Sequence, residues 1–190
     1  MKKVIFISIF FGFVFLANSQ RKNANVEKSI FGVQTNFTEI WGYTELKVTD
    51  EIAMRIEVGL ESFFFGGKFY DQVDFAFIPV VTLEPRWYYN LQKRMKDSKH
   101  TEGNSGNFLS IYTSYHSDLW ITFNEDDNFK SVSDVSIIPT WGIRRPLGKH
   151  FIYELGLGVG YRYYFSKQAG FEKDGEEISF NVNLRVGYDF

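Results

Sequence analysis

Cysteine is absent from the 190-residue chain. That removes a disulfide framework, thiolate-held zinc or iron–sulfur clusters, a cysteine nucleophile and a lipid-modified N-terminal cysteine together. Charge of one sign is not in excess either: 21 Lys+Arg stand against 23 Asp+Glu, a formal net charge of −2. The basic surplus that grips nucleic-acid phosphates is therefore missing, and no nucleic-acid partner is expected. Long apolar runs are confined to the beginning of the chain, and a mean hydropathy of −0.21 is too low for a bundle of membrane helices, each of which needs about 20 apolar residues. Against these absences stands an aromatic content of 19%, carried mainly by 21 Phe and 11 Tyr. The length is that of one domain.

Met1, Lys2 and Lys3 are followed by an apolar run from Val4 to Leu16 and by the small residues of Ala17-Asn18-Ser19. This order reads as a secretory signal peptide, residues 1–19, cleaved after Ser19. Residues 20–28 are then an N-terminal periplasmic segment and 29–190 the folded domain.

Period-two alternation runs through that domain and predicts β-strands. Phe151, Tyr153, Leu155, Leu157, Val159, Tyr161, Tyr163 and Phe165 alternate with Ile152, Glu154, Gly156, Gly158, Gly160, Arg162 and Tyr164. The last segment repeats the pattern from Ile178 to Phe190, and similar stripes occupy 52–61, 75–90, 109–119 and 135–144. No helical period competes. A seventh segment, 31–46, places Phe31, Val33, Phe37, Trp41 and Tyr43 on one face, but Glu39 breaks its parity. A bulge near Thr38-Glu39 repairs it, whereas a tight turn there yields two strands. A chain with both ends on one side of a membrane needs an even number, so the expected fold is all-β, an antiparallel up-and-down transmembrane β-barrel of 8 strands.

Aromatics at the ends of the apolar stripes argue for the transmembrane kind. Phe151 and Tyr153, then Tyr161, Tyr163 and Phe165, bracket an aliphatic middle; the eight residues from Tyr153 to Tyr161 rise roughly 20 Å at a tilt near 40°, close to the apolar band of such barrels. Trp87, Tyr89, Trp141, Tyr188 and Phe190 complete the expected girdles. Charges fall on the opposite parity: Arg55, Arg86, Arg144, Arg162 and Arg185 with Glu57, Glu61, Glu84, Asp118, Glu154 and Asp189. Facing lipid, each Arg near the midplane would cost about 2–4 kcal/mol. These residues are therefore expected to form a paired network that fills the lumen. The inward Gly156, Gly158 and Gly160 are expected to leave room for Arg and Tyr side chains. Short periplasmic turns are expected at 47–50 and 145–150, with outer loops at 66–74, 123–133 and 166–177. The basic stretch 92–107 falls on the periplasmic side, where it could touch anionic headgroups or a partner.

Little in the sequence carries chemistry. His116 shares the lumen parity with Ser114 and Asp118, a spacing that suits a hydrogen-bond network better than a triad drawn from separate segments. His100 and His150 lack companions at ligand spacing, so no metal and no cofactor are expected. Glu125, Asp126 and Asp127 read as a solvated outer loop in preference to a weak Ca²⁺ site. Asn36-Phe37-Thr38 is a sequon by pattern, within a segment read as strand.

Four stretches carry a resemblance: Glu84-Pro85-Arg86-Trp87-Tyr88-Tyr89-Asn90-Leu91, Asn104-Ser105-Gly106-Asn107-Phe108-Leu109-Ser110, Ile138-Pro139-Thr140-Trp141-Gly142 and Gly158-Val159-Gly160-Tyr161-Arg162-Tyr163-Tyr164-Phe165. With the terminal Phe190, the chain resembles small outer-membrane β-barrel proteins of Bacteroidetes-type Gram-negative bacteria. The resemblance implies residence in the cell outer membrane, contact with its lipid and lipopolysaccharide, and recognition of Phe190 by the barrel assembly machinery. It assigns no active site. The expected function is that of a non-enzymatic, plugged, monomeric barrel acting through surface loops or membrane anchorage. A lipid-modifying enzyme (lipid A acyl chemistry) and a narrow pore remain the alternatives.

Overall fold

A computed structural model describes residues 24–67, 70–122 and 132–190, without the side chains of 63–67, 70–75 and 122. Nine strands form one sheet: β1 (Ser29–Thr35), β2 (Ile40–Lys47), β3 (Ile52–Gly67), β4 (Tyr70–Trp87), β5 (Asn107–His116), β6 (Ile121–Thr122), β7 (Asp134–Leu147), β8 (Phe151–Tyr164) and β9 (Gly175–Asp189). β1 to β5 pair antiparallel in chain order, as do β7 to β9; β5 pairs with β7, and β1 pairs with β9. The short β6 continues β5 along β4 after a break at 117–120. The chain is thus an eight-stranded, closed, antiparallel up-and-down β-barrel, as its alternation predicts.

The register fixes the shape. The rungs that lead from Val33 through Gly42, Val58, Val81, Tyr115, Val135 and Tyr163 arrive on β9 at Glu176. The β9 partner of Val33 itself is Tyr188, 12 positions further on. Closing eight strands with that stagger tilts them by about 45° from the barrel axis.

The first pair of strands is a hairpin. Its turn is tied by Asn36 N–H to Glu39 O (3.2 Å) and Thr35 Oγ1 to Glu39 O (2.7 Å). Four residues of turn reverse the parity expected across 31–46: Phe31 and Val33 face outward, but Trp41, Tyr43 and Glu45 face inward and are buried. Asn36-Phe37-Thr38 accordingly sits in a turn and not in a strand, with Phe37 exposed. The expected loop at 66–74 is also corrected. The β3–β4 ladder continues to Gly67↔Tyr70, because Phe63-Phe64-Phe65 and Phe75 are strong strand formers.

The 92–107 stretch is not a plain turn. Leu91–Lys96 form a helix, α1, and residues 102–104 a 3-10 turn. Tyr88, Leu91 and Phe108 pack with Ala53 and Val26, so this segment and the N-terminal residues from Ala24 form a packed cap at one end of the barrel. Val26 N–H donates to Asp50 O (2.9 Å) and Glu27 N–H to Asn104 Oδ1 (2.7 Å). Both described chain ends lie at this capped end. The expected signal segment 1–19 and the acidic run Glu125–Asp127 lie outside the described residues.

Polarity is inverted relative to a water-soluble barrel. The outer wall is apolar and exposed, with Val182 at 75% and Phe180 at 72% of full exposure, joined by Ile137, Leu157, Val159 and Ile178. The inside holds the charges.

Candidate functional site

The lumen is the most specialised region of the molecule. Four guanidiniums, of Arg55, Arg86, Arg144 and Arg185, project inward from β3, β4, β7 and β9 near the capped end, all buried. Five carboxylates meet them. Arg55 contacts Glu45 (2.9 Å), Glu57 (2.5 Å) and Glu154 (3.3 Å); Arg86 contacts Glu84 (2.7 Å), Glu45 (3.1 Å) and Glu154 (3.1 Å). Arg144 pairs with Glu154 and with Asp189 (2.6 Å), and Arg185 with Glu57 (3.0 Å). Neutral donors and acceptors complete the set. Gln34 accepts from Arg55 (2.6 Å), while Ser110 donates to Glu84 (2.6 Å) and Tyr88 to Glu45 (3.1 Å). The end cap takes part directly: Asn104 Nδ2 donates to Glu45 (2.7 Å), and Gly103 O accepts from Arg144 Nε (2.7 Å).

Glycines make room for this layer in a repeated way. Gly32, Gly59 and Gly142 lie directly opposite Tyr43, Trp41 and Phe108 across their ladders. A Cβ at any of the three would fall within 2.7 Å of the facing ring. Each ring therefore lies flat against the wall, and an arginine stacks on its inner face: Arg55 over Tyr43 at 3.7 Å, Arg185 over Trp41 at 4.6 Å and Arg86 over Phe108 at 4.3 Å. Such contacts are worth about 0.5–2 kcal/mol each and orient the guanidiniums toward the carboxylates. The expected role of the β8 glycines is different. Gly156 and Gly158 face Asn183 and Thr140 and not Arg or Tyr, and Gly160 lies against the Ile137 backbone.

A second polar group occupies the opposite end of the lumen. His116 Nδ1 lies 2.9 Å from Asp134 and Nε2 lies 3.0 Å from Glu61. Arg162 reaches Ser136 (2.9 Å) and Asp134 (3.5 Å). Thr82, Ser114, Asn181 and Asn183 line the level between the groups. Arg162 therefore belongs to a different cluster from Glu154, Arg86 and Glu84. Asp118, expected in the lumen, is instead exposed in the break between β5 and β6, where the strand loses its alternation. Ser114 does not contact His116, whose two ring nitrogens are both engaged by carboxylates. Among the described residues no group of His, Asp and Glu is arranged to hold a metal ion.

The outer wall carries the expected aromatics at two levels. Trp87, Tyr89, Trp141, Phe151, Tyr153, Tyr188 and Phe190 lie toward the capped end; Tyr161, Tyr163 and Phe165 lie toward the other. Their polar atoms find partners where the wall meets the loops: Trp87 Nε1 donates to Glu51 (3.1 Å) and Tyr163 OH to Asp174 (3.1 Å). Phe151, Tyr188 and Phe190 pack edge to face at 5.3 Å.

Inward residues missed by the sequence reading are Trp41, Tyr43 and Glu45, hidden by the parity reversal at the first turn. Asp134, Tyr88 and Asn104 were also missed, the last two in the cap where no stripe marks an inside. Comparison of the chain with family models, with curated proteins and with solved structures finds no match.

Proposed function

We propose that the chain is an outer-membrane β-barrel of the kind found in Bacteroidetes-type bacteria, held in the bilayer by its apolar wall and closed along its axis, with its role carried by outer loops or by anchorage and not by catalysis. One observation carries this reading, the inversion of polarity. An exposed aliphatic wall lies between two aromatic levels, while the buried arginines turn inward and pair. In water that arrangement has no driving force, because folding would leave the apolar stripes hydrated and take charges out of solvent. In a bilayer the same arrangement removes apolar surface from water and keeps charge from lipid. The capped end faces the periplasm in this reading, and Phe190, exposed on the wall, is available to the assembly machinery. Separation of membranes followed by electrophoresis with and without boiling tests it. The expected result is a heat-modifiable band in the outer-membrane fraction. Recovery of the chain as a soluble periplasmic protein overturns the proposal.

A further inference from the structure

On the outer wall at the capped end, several side chains form one connected polar group. Trp141 Nε1 donates to Tyr89 OH (2.9 Å) and Asn107 Nδ2 donates to the same oxygen (3.3 Å). Asn107 Oδ1 in turn accepts from Arg145 Nη2, and Arg145 Nη1 donates to Gly106 O and Arg144 O, both at 2.7 Å. Asn90, the residue before α1, accepts the Asn107 N–H at 2.7 Å and so ties α1 to this group; on α1, Arg94 Nε and Nη2 donate to His100 O at 3.2 and 2.9 Å.

Two properties set this group apart from the lumen. First, among the described residues neither Arg94 nor Arg145 has a carboxylate partner. Their acceptors are carbonyl and amide oxygens, which orient a cation without neutralising it. Asp97, at the end of α1, pairs with Lys99 instead (3.5 Å). Second, the Tyr89 oxygen accepts two bonds and so keeps its own proton to donate. Arg145 Nε and Arg94 Nη1 are also uncommitted donors. Two like charges without a carboxylate partner among the described residues, and a hydroxyl donor beside them, suit an anion with several acceptor oxygens.

Position selects the anion. Trp87, Tyr89 and Trp141 are exposed aromatics of the belt where, in a bilayer, the headgroups lie. Exposed Lys93 and Lys96 extend the positive face of α1 beside them. We propose that Arg94, Arg145 and Tyr89 form a site for the phosphate of an anionic phospholipid headgroup in the leaflet on the capped side. The site rests on the reading of the wall as bilayer-embedded.

The test inserts the full chain into phosphatidylcholine vesicles containing a minority of phosphatidylglycerol and measures, by native mass spectrometry, the lipid it retains after detergent extraction. The expected result is several-fold enrichment of phosphatidylglycerol over its bulk share. It falls to the bulk share in the Arg94→Gln/Arg145→Gln variant, is lowered by Tyr89→Phe, and largely persists when both arginines become lysine. Excess inorganic phosphate leaves the enrichment in place; displacement by it overturns a lipid occupant. No enrichment with the wild-type chain, or enrichment that survives the glutamine pair in a barrel with normal heat-modifiable mobility, also overturns the site. A chain that inserts into no vesicle overturns the bilayer reading with it, whereas one that inserts without enrichment overturns the site alone.

Discussion

Glu154 sits among three guanidiniums, those of Arg55, Arg86 and Arg144. Replacing it by glutamine keeps the shape but leaves those cations with less counter-charge in a buried layer. Removing one partner of a buried ion pair typically costs 3–5 kcal/mol, about what Glu154→Gln is expected to cost. Thermal or urea unfolding of the refolded barrel, followed by gel mobility, measures it; a loss below about 1 kcal/mol would show that the layer is not held by its charges. The inward parity of Arg55, Arg86, Arg144, Glu154 and Arg185 was legible from the sequence, because alternation survives any choice of register. Their partners were less so. Which glycine lies under which ring depends on pairings such as Trp41↔Gly59, and register between distant strands leaves no local trace.

Among the elements, the loop after β8 is the best pH reporter. A 3-10 turn at Ser166–Ala169 leads to Asp174, whose carboxylate accepts the Lys167 backbone N–H (2.9 Å) and the Tyr163 hydroxyl (3.1 Å). The Lys167 N–H bond, with help from Tyr163, holds the Asp174 carboxyl below its ordinary 3.8. A depressed carboxyl stabilises the closed loop above that ordinary value, and the contribution disappears as pH falls through the folded-state value. The Lys167 amide resonance is accordingly expected to titrate with a midpoint below 3.8, and Asp174→Asn to abolish the titration. A midpoint at or above the ordinary value would remove the effect. The elements themselves show where sequence patterns stop. β7, β8 and β9 are long enough for their stripes to be read without ambiguity. By contrast, the turn Asn36–Glu39 lacks the Gly-containing dipeptide that usually marks a tight hairpin, so Trp41 and Tyr43 were placed on the wrong face. The cap, with one short helix and a buried asparagine, has no period to read.

At the scale of the whole molecule, the proposed axial closure rests on two ionic clusters and on the segment packed at one end. Ion passage would have to separate pairs such as Arg86–Glu84 and Arg144–Asp189 as well as displace Asn104. Planar bilayers containing the purified chain are therefore expected to show no discrete conductance steps; reproducible single-channel steps would refute axial closure and favour the pore alternative. The paired lumen and the unpaired Arg94 and Arg145 form a contrast. Inside, each of the four buried guanidiniums of the capped end meets a carboxylate, whereas on the outer wall Arg94 and Arg145 meet only carbonyl and amide oxygens among the described residues.

The 12-residue stagger between the two paths to β9 has a volumetric consequence. For a fixed number of strands, a larger stagger lays them over and widens the cylinder, here to a radius of about 8–9 Å at the backbone. A less inclined eight-stranded wall would enclose a narrower bore, without room for rings lying on glycines and arginines lying on the rings. How much matter the interior must hold is thus set by pairing register and not by strand count. The bulk of Trp41, Tyr43, Phe108 and four arginines answers a geometric demand as much as an electrostatic one.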